Sequence, residues 1–189
     1  MIEISVAVPD DLPWIYALEM RHYGPMQSVN AARLAEWYAA NPLGFLVARD
    51  DGERCAHVTL LPLKPQLLRA LMDGSKSEND IRAADIFTPS DRKHVRSLYI
   101  ESVIAELEVF GELVRTFNRH VARLAEPERM EEIVVCPSTP AGDLLVANLG
   151  FERSAQSRYF VAKYEELVRR TTLLRSRLGA LKRASWGAR

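Results

Sequence analysis

LLVANLGFERSA, residues Leu144 to Ala155, holds the step that decides the fold. An apolar run with helical spacing stops at Leu149, Gly150 supplies the residue helices favour just past their end, and Phe151 continues at once as an extended segment. Upstream, EEIVVC reads as a buried strand that leads through PSTP into this helix. Downstream, FERSAQSRYFVAKY reads as one or two closing strands. Further upstream, HVRSLYIESVIA is rich in β-branched and aromatic residues, and ELEVFGELVRTFNRHVARLA follows it as a helix. Strand, helix and strand thus form one β-α-β crossover.

Towards the N-terminus, GFLVARDDGERCAHVTLLPL flanks a turn-forming Asp-Asp-Gly with two apolar runs, which predicts an antiparallel hairpin. IEISVAV reads as a first strand. PDDLPWIYALEM and NAARLAEWYAANP read as two helices, the first opened by acids and proline, the second stopping before Pro42. KPQLLRALMDG predicts a short helix ended by Gly74, and SKSENDIRAADIFTPSDRK a polar loop with one helical turn near ENDIRAADI. The insertion at residues 64–93 is long, and long loops are often functional.

A chain of 189 residues is long enough for one well-buried core and short for two. The expected arrangement is an α/β domain (α+β by some schemes) over residues 1–163, with a mixed central sheet and helices on both faces, and a basic helical tail over residues 164–189. Net charge is zero, yet no acid follows Glu166, while Arg169, Arg170, Arg175, Arg177, Lys182, Arg183 and Arg189 do. The tail is therefore +7 and the remainder −7. Leu167, Leu174, Leu178 and Leu181 recur there at helical spacing with Trp186 near the end, so the stripe is expected to pack on the acidic body or on a second copy in a homodimer. No basic sheet face carries interleaved aromatics, which argues against nucleic acid. No apolar run approaches a membrane span, and MIEISVAVPDD lacks the pattern of a signal peptide, so a cytoplasmic location is expected. Cys55 and Cys136 read as buried thiols, and His22, His57, His94 and His120 lack the spacing of metal ligands, so no metal is expected.

In this order of elements, and in LLVANLGFERSA above all, the sequence resembles the GCN5-related N-acetyltransferase (GNAT) superfamily. ARDDGERCAHVTLLPL is similar to that family's second and third strands and LYIESVIA to its fourth; the resemblance spans residues 1 to 163. It implies that the fourth and fifth strands splay apart, that the arm of acetyl-CoA or another acyl-CoA lies in the gap, and that a small amine or a protein amine attacks the thioester directly. Under that resemblance Glu101, on the fourth strand, is the candidate base. Val103, Ala105, Phe110 and Gly111 form the stretch that would contact CoA.

The sequence departs from the family in two places. The family's loop after the fourth strand reads Arg/Gln-x-x-Gly-x-Gly/Ala, and its glycines let main-chain N–H groups close on the CoA pyrophosphate. ELEVFG, Glu106 to Gly111, occupies that slot with only Gly111 matching: Val109 replaces the first glycine and Glu106 the basic or amide residue, with Glu108 nearby. Two negative groups within about 5 Å repel by roughly 1–3 kcal/mol, a weakening of about one to two decades. The family's tyrosine four residues before the glycine of the Leu-Gly-Phe step is Val146 here, which removes a proton donor for the departing thiolate; Tyr159 or Ser138 are its candidate substitutes. Two functions follow: an acyl-CoA-dependent N-acyltransferase, or a non-catalytic protein on the same scaffold that binds or regulates a partner.

Of the other residues, Tyr99 is expected opposite Glu101 in the core, and His57 as a hydrogen-bonded sheet histidine. Glu78 and Asp85, in the polar insertion, are candidates to contact a cationic acceptor amine but are expected in a solvated loop. Cys136 has no histidine spaced to activate it and is expected to be inert. No nucleophile elbow, phosphate loop or dinucleotide fingerprint is present.

Overall fold

The computed structural model describes residues 1–155 and 157–172, with the backbone alone at Leu107. The chain opens with β1 (Ile2–Val6), passes through α1 (Leu12–Tyr23) and α2 (Ala31–Ala40), and forms the hairpin of β2 (Phe45–Asp50) and β3 (Glu53–Leu61). After α3 (Pro65–Met72) and a series of 3-10 turns comes β4 (Ser97–Ile104), from which α4 (Leu107–Leu124) crosses to β5 (Glu132–Val135). Then follow α5 (Pro140–Leu149), β6 (Glu152–Arg153) and β7 (Phe160–Lys163). Residues 164–172 are helical.

The strands make one mixed sheet in the order β1-β2-β3-β4-β5-β7-β6. β4 and β5 run parallel and every other neighbouring pair antiparallel. This follows from the connections: the Asp51-Gly52 turn, with both φ angles positive, reverses the chain in two residues, whereas α4 is long enough to return it parallel. At the other end Gly150 (φ 93°) takes the left-handed conformation that closes α5, so that Phe151 enters β6 without a linker.

Alternation along β4 and β5 divides the core. Leu98, Ile133 and Val135 pack with Leu113, Val121 and Leu124 of α4, and with Val146 and Phe151. Tyr99 and Val134 pack on the other face with Ile15, Leu34 and Trp37 of α1 and α2, and with Leu67 and Leu71 of α3. Strands buried on both faces read as continuous apolar runs, which is why EIVV shows no alternation in sequence.

Tyr164 and Leu167 are buried in the α4-side core, so the beginning of the basic tail packs on the domain. Leu174, Leu178, Leu181 and Trp186, with the arginines beyond Arg170, lie outside the described residues. Among the described residues no helix is long and apolar enough to cross a membrane.

Candidate active site

Two irregularities meet at one residue. Across β3 and β4, Leu60 pairs with Ile100 and Thr59 with Ser102, which leaves Glu101 as the extra residue of a β-bulge. Across β4 and β5 the parallel ladder runs from Ser97–Glu132 to Ile100–Val135 and stops there. β4 continues for four more residues, while β5 gives way to Cys136 and Pro137, whose ring has no N–H to donate. From Glu101 onward the two strands part, and the β5-facing backbone of residues 101–104 has no ladder partner.

The gap opens a cleft of about 1040 Å³ that reaches both faces of the sheet. Its α4 side is mostly apolar, lined by Val114, Phe117, Leu149 and Phe151; Val103, Ala105 and Phe110 also line the cleft. Ser138, Thr139 and Gly142 border it at the start of α5, where Thr139 Oγ1 accepts the Gly142 N–H at 3.0 Å. The other side is polar: His22 and Tyr23 from α1, Ser77, Glu78 and Asn79 from the insertion, Glu101 from β4 and Arg158 from the β6–β7 loop.

Glu101 is the centre of that polar side. Its Oε2 is buried and meets no hydrogen-bond partner among the described residues. Burial, and then the charges of Glu19 and Glu78, push its carboxyl well above the usual carboxylate range. Glu19, only 1% exposed, places Oε1 3.2 Å from His57 Nε2. His57 Nδ1 lies 3.2 Å from the Leu46 carbonyl, which can only accept, so Nδ1 carries a proton. Nε2 is also 2.9 Å from Thr59 Oγ1. The Tyr23 hydroxyl, whose pKa burial raises, lies 3.3 Å from both Ser102 Oγ and the Val103 carbonyl, and so pins the end of α1 to β4 just past the bulge.

Several expectations change here. Tyr99 does not face away from Glu101: two positions apart on a strand, the side chains share a face, and Glu101 contributes to the raised pKa of the Tyr99 phenol. Glu78 is not a solvated loop residue, because the insertion folds it over the sheet, where it accepts the Tyr99 hydroxyl and burial raises its pKa. Asp85 does cap its own loop, accepting the Arg82 N–H at 3.0 Å. His57 is the buried, hydrogen-bonded sheet histidine expected, with a carboxylate partner the sequence did not reveal. Glu19 had a signal: it lies four residues after the buried Ile15, an acid on the core face of a helix.

Cys55 and Cys136 are half-buried rather than buried, and both border the cleft. Burial pushes the Cys136 thiol up to about 11, which keeps it protonated and unreactive. Ser138 borders the cleft, Tyr159 is buried beside Tyr99 with ring centroids 6.0 Å apart, and Val146 packs in the α4-side core.

At the head of α4 the geometry differs from the reading of ELEVFG. Glu106 is the N-cap and the Phe110 N–H already bonds the Glu106 carbonyl at 2.8 Å, so the free N–H groups belong to residues 107–109. Gly111 lies a turn further in, outside the cleft lining, and a Cβ there would meet nothing within 4 Å. Val109 is buried against Ala48 and Ala56 rather than opening the loop. Glu106 and Glu108 are both exposed at this helix end.

The chain has the fold of the GNAT superfamily in a divergent sequence. Among solved structures it is similar to the GphF GNAT-like decarboxylase in complex with isobutyryl-CoA, at 18% identity and a TM-score of 0.58 over 86% of this chain and 99% of that one. It is also similar to the loading GNATL domain of CurA from Lyngbya majuscula (15%, TM-score 0.51, 75% and 68% of the two chains) and to Ard1 from Thermoplasma volcanium (9%, 0.50, 86% and 97%). Neither a protein-family model nor a curated protein matches the sequence.

Proposed function

We propose that this protein is an acyl-CoA-dependent N-acyltransferase acting on an amine, with Glu101 as the base. The observation that carries the reading is the position of Glu101: it is the bulged residue at the point where β4 and β5 separate, with an unpartnered carboxylate oxygen in the cleft. The gap admits a thin chain bearing a thioester, and the unpaired backbone of residues 101–104 supplies groups to align it. A carboxyl whose pKa is raised is a stronger base than an exposed glutamate and draws in a cationic amine. The nitrogen bonds the thioester carbonyl carbon as the carbon–sulfur bond breaks. Of the two protons lost from the ammonium form, one passes through Glu101 to solvent and the other remains on the CoA thiol. Tyr23, hydrogen-bonded beside the bulge, is a donor within the cleft where Val146 is not.

The same chemistry weighs against a decarboxylase. That reaction must bring a substrate carboxylate up to the bulge, where Glu78 and Glu101 line the cleft and the buried Glu19 adds a third acid near Glu101, while the cation Arg158 stands on the β6–β7 loop. A separate feature favours the second reading, a non-catalytic protein on this scaffold: Glu106 and Glu108 stand at the head of α4, where a pyrophosphate would have to bind.

Consumption of acetyl-CoA and longer acyl-CoAs is to be measured with a panel of primary amines and with malonyl-CoA alone. Amine-dependent release of CoA that falls about a hundredfold or more in Glu101→Gln supports the transferase. Release of CO2 from malonyl-CoA without an amine would replace it with the decarboxylase, and no binding of any acyl-CoA at millimolar concentration would leave the non-catalytic reading.

A further inference from the structure

The polar side of the cleft contains a cation as well as acids. Arg158 borders the cleft from the β6–β7 loop, with its guanidinium carbon 5.6 Å from the centroid of the Tyr159 ring. Among the described residues it makes no salt bridge, and its neighbour is the Tyr159 side chain, which raises its pKa, rather than an acid. Arg158 shares the cleft lining with Glu78 and Cys136, whose ionised forms its positive charge favours, and makes no salt bridge to Glu78. In the lining of the same cleft, Glu101 Oε2 lacks a donor. A site with an unsatisfied buried acceptor at one point and an unpaired guanidinium at another is built for a ligand that carries both charges.

We propose that the acceptor is an amino acid or a close analogue, its ammonium group directed to Glu101 and Glu78 and its carboxylate to Arg158. This rests on the reading of the cleft as an amine-acceptor site and names the class of amine. A planar guanidinium holds a carboxylate through two parallel hydrogen bonds, which a neutral amide cannot reproduce. Two other anions are available to Arg158, and geometry disfavours both. The CoA phosphates belong near the free N–H groups at the head of α4, which packs on the opposite face of the sheet from Tyr159, the neighbour Arg158 covers. A carboxylate on the acyl group itself would have to lie against the acids that surround Glu101.

The test uses the full chain and matched probes: the standard amino acids, each beside its own carboxamide, with binding followed by calorimetry in the absence of acyl-CoA. At least one amino acid is expected to bind about tenfold or more tightly than its carboxamide, the ordinary weight of a charge-assisted pair. Arg158→Ala is expected to remove that difference by weakening the amino acid far more than its carboxamide. Arg158→Lys is expected to restore only part of it. Equal binding of every acid and its carboxamide in the wild type overturns the proposal, as does a preference that survives Arg158→Ala. Malonyl-CoA and CoA are titrated separately, and an Arg158→Ala loss confined to those two ligands reassigns Arg158 and also overturns the proposal. Because the readout is binding, absence of turnover would count against the transferase and leave this result standing.

Discussion

The two mouths of the β4–β5 gap are furnished very differently. On the α1–α3 side, Glu19 from α1 and Glu78 from the insertion act on Glu101 through their charges, His57 from β3 bonds Glu19, and Arg158 from the β6–β7 loop borders the same cleft. On the α4 side, the helix end where the resemblance places a pyrophosphate carries Glu106 and Glu108, buries Val109, and has its glycine a turn further in. Burying carboxylates is costly and persists only where something depends on them, whereas exposed acids at a helix N-terminus stabilise the helix on their own. The first side therefore bears the marks of chemistry and the second those of stability. On the proposed function, the specificity of this site would reside in acceptor recognition, and acyl-CoA would be held mainly by the gap itself.

The largest expected effect tests the first half of that contrast. Glu101→Gln should lower amine-dependent turnover by about a hundredfold or more while raising the melting temperature by about 2 °C, because it removes a repelling charge from a crowded acid cluster. A carboxylate kept for folding would behave oppositely, with activity following stability downward. Circular dichroism melts beside the turnover assay separate the two.

On the α4 side the effects are smaller and reverse in sense. Glu106→Gln with Glu108→Gln should tighten CoA binding about tenfold at low salt, since two exposed charges leave the neighbourhood of the free N–H groups, and the gain should shrink at high salt. An unchanged affinity would place the pyrophosphate elsewhere. Gly111→Ala should leave CoA affinity alone and stabilise the fold by about 1 kcal/mol, because the position is helical and the added methyl meets nothing within 4 Å. A loss of CoA binding in that variant would restore Gly111 to the phosphate site.

The contrast also explains what could be read from the sequence. Local chemistry was legible: Asp51-Gly52 forms the hairpin turn, and Gly150 followed by Phe151 joins α5 to β6. The mixed sheet followed from those turns together with the length of α4. What escaped was set by pairing between distant segments. Nothing in LYIESVIA marks Glu101 as the extra residue of a bulge, because that depends on which residues of β3 lie opposite. Glu78 sits in a stretch of polar residues that only the folded insertion turns inward, and the loop slot that the resemblance gives ELEVFG falls on the first turns of a helix the sequence itself starts at Glu106, which leaves Gly111 helical. Polar residues carry their function through their partners, and partners are the least local property of a chain.

The smallest effect uses acid to set the two sides of the sheet against each other. His120 on α4 is 3% exposed, and burial, followed by the charges of Arg123 and Arg119, pushes its pKa down to about 4. Thr116 Oγ1 donates to the Glu112 carbonyl at 2.9 Å and accepts from His120 Nε2 at 3.1 Å, which leaves Nδ1 a bare buried acceptor. Between about 6.5, the ordinary histidine value, and about 4, the unfolded chain takes a proton that the folded chain refuses, so His120 costs stability as pH falls through that window. Glu101 and Glu78 do the reverse. Their folded values lie above the ordinary 4.5, so the fold gains stability as pH falls from those raised values towards 4.5. Melting temperatures between pH 7 and 4.5 should therefore fall less in His120→Leu than in the wild type, by about 2 °C, and fall more in Glu101→Gln. If both variants shifted the curve in one direction, the opposition between an acid-tolerant acceptor side and an acid-sensitive α4 side would not hold.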